Sequence, residues 1–425
     1  VNTIDDDYEF RRFAPSGTPV TSETRGWLQA DAQGFHDKRF TEASLARVAE
    51  GLVTDGQTLT GAYARSRPEA SLPAEYPVAT FASYPKSLNV GGGRMLPAHL
   101  ISAVTVRPTH RRRGLLRRMM TENLAIAHAE GFAIAALTAS EATIYRRFGF
   151  GPAVWTRSIE VATDARFRLL TATRGSCEQV DASALTEIGP RVFARFHAAQ
   201  TGSVDRYLGI WHHVSGTVDS DGQEDRGVRA ALHYDEQGSI DGYVSYKVTG
   251  NPRTVKLLDF VAGDDHAALG LWQYLASIDL TETVTWHQGR LDEPLAWALE
   301  NPRLLSVKAE EDWLWLRILD PIGALEARPY GSTGKVVLRV VDALGHAAGV
   351  FRLAVTDAGA TVTRDDAASP DLELDAWVLG SLYLGGADPG TLAAAGQLIE
   401  HSPGAVRTLR TLLAPDQPVY GITPF

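Results

Sequence analysis

Residues 104–120 read V-T-V-R-P-T-H-R-R-R-G-L-L-R-R-M-M, and the order of residue types in this stretch carries a structure. A β-type run that includes Leu100, Ile101, Val104 and Val106 halts at Pro108, which has no backbone N–H to offer a sheet. Three consecutive arginines follow. From Gly114 onward apolar residues recur at three- and four-residue steps, at Leu115, Leu116, Met119, Met120, Leu124 and Ala127, as one buried helical face would require. The stretch predicts strand, basic loop, helix. The first N–H groups of such a helix have no partner inside it and stand at the positive end of its dipole, so Arg112, Arg113, Gly114, Leu115, Leu116 and Arg117 offer an anion site suited to a diphosphate. Gly114 would let the backbone approach that ligand closely. A solvated arginine run ahead of a surface helix is the bland alternative.

The order strand, R-x-x-G, helix resembles the acyl-CoA loop of the GNAT N-acetyltransferase superfamily, Q/R-x-x-G-x-G/A, with Arg111, Gly114 and Leu116 at its three places. Leu116 departs from that pattern, and V-x-P-T-H-R-R-R-G-L-L-R is similar instead to the Eis (enhanced intracellular survival) subgroup. Residues 139–153, A-S-E-A-T-I-Y-R-R-F-G-F-G-P-A, resemble the acceptor-side motif of that family. Residues 375–386, D-A-W-V-L-G-S-L-Y-L-G-G, resemble its sterol-carrier-like C-terminal domain. The resemblance implies an α/β (α+β) chain of tandem GNAT domains, the second degenerate, followed by a sterol-carrier-like domain. Boundaries are expected at 1–154, 155–308 and 309–425.

At 425 residues the chain is long enough for about three domains. A net charge of −10 argues against nucleic acid as partner and suits a cationic substrate. The single cysteine, Cys177, cannot form an intrachain disulfide and fits a reducing compartment. No apolar run is long enough for a membrane span, and the first residues lack a basic and apolar leader, so a cytoplasmic protein is expected. His197, His212, His213, His266 and His287 form no ligand spacing, and no metal is expected.

Along the chain, residues 1–34 read as a polar opening, followed by a helix from Thr41 and strands over 57–64 and 76–84. The run G-F-A-I-A-A-L-T at 131–138 has the length of a buried strand. L-x-D-F-V-A-G-D at 257–264 repeats the strand-loop-helix pattern with Asp264 and Asp265 where arginines would be needed, and such residues repel a diphosphate. E-D-W-L-W-L-R-I-L at 311–319 reads as a strand opening the third domain, in which 372–384 and 392–400 read as helices.

From the resemblance follow the expected site residues. Acetyl-CoA as co-substrate would lie along Val104, Thr105 and Val106, with Ser140 and Glu141 at its border. An amine attacking a thioester must lose a proton and the departing thiolate must gain one, so an acid is needed near sulfur. Tyr145 takes that role by family match and by chemistry. The family's C-terminal carboxylate serves as general base, and Phe425 occupies that place, although Pro424 stands where relatives carry an acidic residue. Asp37, in F-H-D, would face the amine. Expected acceptors are aminoglycoside-like polycations or lysine, and the family's habit implies a homo-oligomer, a hexamer. The alternatives are a non-catalytic scaffold or ligand-binding protein that keeps the fold, and a transferase of longer acyl groups.

Overall fold

A computed structural model describes residues 4–139, 141–218, 222–250 and 253–425. Twelve strands make one continuous sheet: β1 (Tyr8–Phe13), β2 (Thr58–Ala64), β3 (Ala79–Asn89), β4 (Met95–Val106), β5 (Ile134–Thr138), β6 (Gly151–Ala162), β7 (Ser176–Val180), β8 (Arg229–Tyr234), β9 (Ile240–Thr249), β10 (Thr254–Ala262), β11 (Thr283–Gly289) and β12 (Leu305–Ile318). Their spatial order is β1-β2-β3-β4-β5-β12-β6-β11-β10-β9-β8-β7. Two pairs of parallel strands give this sheet its character. β4 and β5 pair only where Ala98, His99 and Leu100 face Ile134, Ala135 and Ala136, and then part. β10 and β11 repeat the arrangement, pairing at Thr254, Val255 and Lys256 before diverging. Each half is thus one splayed α/β unit, and the two units share a sheet.

The helix Leu115–Ala129 forms from the predicted periodicity, burying Leu115, Met119, Met120, Leu124 and Ala127 in one core with Tyr145, Phe148 and Phe150. Residues 4–34 are not a polar opening. They hold β1 and the helix Ser22–Gly34, whose start is capped by the Thr21 hydroxyl accepting from the Thr24 amide. Trp27 and Leu28 are buried by tertiary packing with Leu45 and Leu59, which local periodicity did not reveal.

Residues 311–319 were expected to open the third domain; the structure places them in the large sheet. β12 is antiparallel to β5 on one side (Leu314 opposite Thr138) and to β6 on the other. Trp315 packs with Tyr145 and Phe148, while Leu314, Leu316 and Ile318 face the opposite core. Alternation identified the strand, but its neighbours are fixed by contacts more than 150 residues distant in the chain.

A second sheet of five strands follows, β13 (Gly334–Val341), β14 (Gly349–Thr356), β15 (Gly359–Arg364), β16 (Leu372–Asp375) and β17 (Leu398–Glu400), in the order β15-β14-β13-β16-β17. The segments 372–384 and 392–400 are therefore not single helices. Each divides into a strand and a short helix, Ala376–Leu382 after β16 and Pro389–Ala394 before β17. The helix Ala376–Leu382 lies hard against β6 and β12: a Cβ placed on Gly151 would stand 1.9 Å from the Trp377 carbonyl oxygen, and one on Gly380 2.2 Å from that of Leu316. Arg146 stacks over the Trp377 ring at 4.6 Å. The motifs at 139–153 and 375–386 thus meet in space.

Candidate active site

The basic loop turns sharply. Arg112 (φ 62°) and Gly114 (φ 85°) both adopt left-handed backbone, two residues apart, and Gly114 caps the helix Leu115–Ala129. Such alternation of hand ahead of a helix N-terminus is the backbone form of a nest suited to an anion. The glycine is required by conformation: a Cβ at Gly114 would meet nothing nearer than Ile4 Cδ1 at 3.7 Å, so clearance is not what demands it. The nest opens on a cavity of about 750 Å³. Val104, Thr105 and Val106 line one side, and Arg112, Gly114, Leu115, Leu116 and Arg117 the loop end, with Glu141 and Tyr145 completing the wall.

Arg113 does not join them. The same turn sends its guanidinium to the other side of the loop, where it donates to the Tyr8 hydroxyl at 3.1 Å and the Thr109 carbonyl at 3.4 Å. Ser140 lies outside the described residues. The Glu141 carboxylate caps the short helix Ala142–Tyr145, accepting from the Thr143 hydroxyl at 2.7 Å. His110 and Arg147, which the sequence did not single out, line the cavity as well.

A second cavity, of about 390 Å³, opens where β4 and β5 part. It is shaped by a bulge. Between Thr80 and Ala82 the β3–β4 register shifts, and Ala103 takes φ 54°, a left-handed conformation that costs a non-glycine residue roughly 1–2 kcal/mol. The Thr80 hydroxyl donates to the Ala103 carbonyl at 2.9 Å and holds the bulge in place. Phe35, Val104 and Tyr145 belong to both cavities, so the two spaces meet at the tyrosine. Tyr145 is 6% exposed, and burial raises its phenol above the ordinary tyrosine value, so at neutral pH it holds its proton. Its hydroxyl has no hydrogen-bond partner among the described residues.

Acidic groups converge on this second cavity. Asp31, from the helix Ser22–Gly34, is pushed up to about 7 by burial, with the nearby Asp37 charge adding to the effect and the Thr80 hydroxyl opposing it. Asp312 arrives on β12, its carboxylate held by the Trp315 indole N–H. Asp37, expected to face an amine, lies instead on the exposed segment beyond the helix end and lines neither cavity. Six residues earlier, Asp31 takes the inward position because the helix continues to Gly34. No motif marks Asp31 or Asp312.

Phe425 reaches the same cavity. Residues 419–423 are buried as they run between the two halves of the large sheet. The Tyr420 amide donates to the Thr201 carbonyl at 2.9 Å and the Thr423 hydroxyl to that of Val204 at 2.7 Å, while the Tyr420 ring sits 6.0 Å from that of Phe196. The tail then delivers Phe425 to the splay, where its amide donates to the Thr138 hydroxyl at 3.3 Å and that hydroxyl donates to the Phe425 oxygen.

Residues 20–153 and 202–318 each match the acetyltransferase (GNAT) domain, and residues 322–421 match the sterol carrier protein domain. The N-acetyltransferase Eis of Mycobacterium tuberculosis is 35% identical over 346 residues, covering 78% of this chain and 82% of that protein. The chain belongs to the Eis family of GNAT N-acetyltransferases. A Streptomyces griseus protein described as an uncharacterized N-acetyltransferase is 37% identical over 407 residues, covering 92% of this chain and 94% of its own. The crystal structure of Eis1 from Mycobacterium abscessus matches with a TM-score of 0.80 at 28% identity, over 98% of this chain and 100% of that one.

An Eis-family enzyme of this type uses acetyl-CoA and an amine-bearing acceptor. In the second GNAT unit the corresponding helix, Asp265–Ala276, has its N-terminus occupied by the protein's own carboxylates. Asp264 accepts from the Ala267 amide at 2.9 Å, and Asp265 pairs with Arg290 at 2.8 Å. Its contribution to the first unit is a strand, β12, and a groove for the tail. Among the described residues no helix is long and apolar enough to cross a membrane.

Proposed function

We infer that this chain transfers the acetyl group of acetyl-CoA directly to a primary amine on an aminoglycoside-like polycation or a lysine side chain. Tyr145 acts as general acid and the Phe425 carboxylate as general base. The observation that carries this reading is the meeting of two unlike cavities at Tyr145. One ends in the basic loop; the other is walled by Asp31, Asp312 and Phe425, with no basic side chain among its described lining residues. Such a space attracts a cation and disfavours an anion.

The amine nitrogen attacks the thioester carbonyl carbon, and backbone N–H groups around Val104, Thr105 and Val106 receive the developing oxyanion. The C–S bond then breaks, and the thiolate takes the Tyr145 phenolic proton. The amine proton passes to the Phe425 carboxylate, directly or through one water. A carboxylate with an ordinary pKa of about 3.5 is a weak base, so it works best on an amine whose ammonium form burial has already disfavoured. Assembly as a homo-oligomer, the hexamer implied by the family, belongs to the same reading and is tested by light scattering.

The deciding experiment is thiol release from acetyl-CoA across a panel of polyamines and lysine peptides, with mass detection of the acetylated product. Tyr145→Phe is expected to lower kcat roughly 100-fold, the scale of one acid catalyst, while leaving acetyl-CoA affinity in place. Unchanged turnover in Tyr145→Phe removes the acid assignment. No thiol release with any amine leaves the non-catalytic alternative standing.

A further inference from the structure

Tyr8, the first residue of β1, is 2% exposed behind the basic loop and joins two residues of that region. Arg113 Nη1 donates to its hydroxyl oxygen at 3.1 Å, and the same hydroxyl lies 2.9 Å from His110 Nδ1. Arginine has donors only, so the Tyr8 oxygen is an acceptor on that side and its single proton is free for the histidine. Where that proton goes to His110, the imidazole Nδ1 is the acceptor. A neutral imidazole whose Nδ1 accepts must carry its proton on Nε2. Nε2 has no protein partner among the described residues, and His110 lines the 750 Å³ cavity beside Arg111 and Arg112. Burial first, then the charges of Arg113 and Arg107, lower the imidazole below its ordinary value, which keeps it in the neutral form the relay requires.

We propose that His110 is a coenzyme-binding residue whose Nε2–H donates to an oxygen of the acyl-CoA diphosphate, and that Tyr8 and Arg113 are positioning residues that fix its tautomer. The inference rests on the acetyl-CoA reading of the larger cavity. It gives a purpose to the one arginine of the run that turns away from that cavity. Arg113 acts at two removes, by occupying the Tyr8 lone pair and directing the phenolic proton to Nδ1. A histidine free to choose its tautomer would present a lone pair to the phosphate part of the time, and the two would repel.

The test is calorimetric titration of the full chain with CoA and with 3′-dephospho-CoA. His110→Ala is expected to raise the Kd roughly tenfold, the worth of one charge-assisted hydrogen bond. His110→Gln, whose amide N–H₂ reaches the Nε2 position without needing a tautomer set for it, is expected to stay within about threefold of wild type. Tyr8→Phe keeps the buried ring and should raise the Kd about threefold to tenfold in the wild-type background, yet change nothing in the His110→Gln background. Equal weakening by Tyr8→Phe in both backgrounds would mean that Tyr8 only packs, and would overturn the relay. Wild-type affinity in His110→Ala would overturn the contact itself, and a loss that vanishes with 3′-dephospho-CoA would move it off the diphosphate. Failure of the wild-type chain to bind CoA at all would instead overturn the reading of the cavity, which separates the two.

Discussion

Thr138 and Phe425 stand 287 positions apart in the chain and are bonded to each other twice, the Phe425 amide donating to Thr138 Oγ1 at 3.3 Å and that hydroxyl donating to the Phe425 oxygen. Thr138 is the last residue of β5, beyond the point where β4 and β5 cease to pair. The sheet frees the threonine by splaying, and the tail uses the freed group as its terminal anchor. Upstream bonds from Tyr420 and Thr423 leave little slack, so the position of Phe425 is set by the fold and not by the tail alone.

If the proposed Phe425 carboxylate, held at Thr138, is the base, extending the chain by one glycine after Phe425 converts it to an amide and moves the charge by one residue. Turnover is expected to fall at least 100-fold, with the thermal transition and acetyl-CoA affinity preserved. Thr138→Val, which keeps the shape and removes the hydroxyl, should lower kcat less, by up to about 30-fold, because the two hydrogen bonds it removes, of about 1 kcal/mol each, position the group without supplying it. Full activity in the extended chain would remove Phe425 from the mechanism.

Asp31 gives the acceptor cavity a pH dependence with a defined sign. Its folded value is about 7, against an ordinary aspartate value near 3.9 in the unfolded chain. Between those two values the folded state holds a proton that the unfolded state has released. The aspartate's contribution to stability therefore falls as pH rises from about 4 to about 7, and is level above. Cation binding runs the opposite way, since the ionised form is the one that attracts, so KM for a cationic acceptor should fall as pH rises through 7. The acceptor amine's own titration is common to wild type and Asp31→Asn, so the ratio of their KM values across pH 6–8 isolates the effect. A ratio that does not vary with pH would show that Asp31 does not meet the acceptor.

The parts of this molecule that local chemistry dictates could be read directly. Pro108 and Gly114 fix a strand end and a helix start within ten residues, and the structure has both there. What could not be read are residues delivered by distant pairings. Asp31 looks like one more polar residue in G-W-L-Q-A-D-A-Q-G until Trp27 is seen buried beneath it. Asp312 depends on β12 entering between β5 and β6, a choice that no alternation pattern encodes. Arg113 could not be told from Arg112, because which side of a loop an arginine takes depends on the backbone hand at its neighbours.

That hand is itself testable at Gly114. Alanine at φ 85° is expected to destabilise the protein by about 1 kcal/mol, measured by urea unfolding, whereas asparagine, which tolerates left-handed backbone, should cost less. Because the nest's N–H groups are aimed by this same turn, Gly114→Ala should also weaken CoA binding by several-fold. Equal stability of the alanine and asparagine variants would show that the loop relaxes out of the left-handed turn.

The third domain is held against the large sheet by close backbone approach at Gly151. Gly151, inside the motif that carries Tyr145, begins β6, and the Trp377 carbonyl occupies the place where a side chain would be, 1.9 Å from an ideal Cβ, with Ser381 Oγ at 2.3 Å. Backbone cannot retreat as a flexible side chain can, so Gly151→Ala must push the helix Ala376–Leu382 off β6 or shift the strand itself. Overpacking of this kind costs about 1–3 kcal/mol. The same helix packs against β12, and residues 387–425 follow it in the chain, so the displacement should propagate to the tail. The expected outcome is therefore a double one: a lower melting temperature, and a loss of kcat larger than the loss of acetyl-CoA affinity, since the acceptor cavity depends on the tail and the basic loop does not. Unaltered kcat with a lowered melting temperature would show that the tail keeps its seat independently of the domain that carries it.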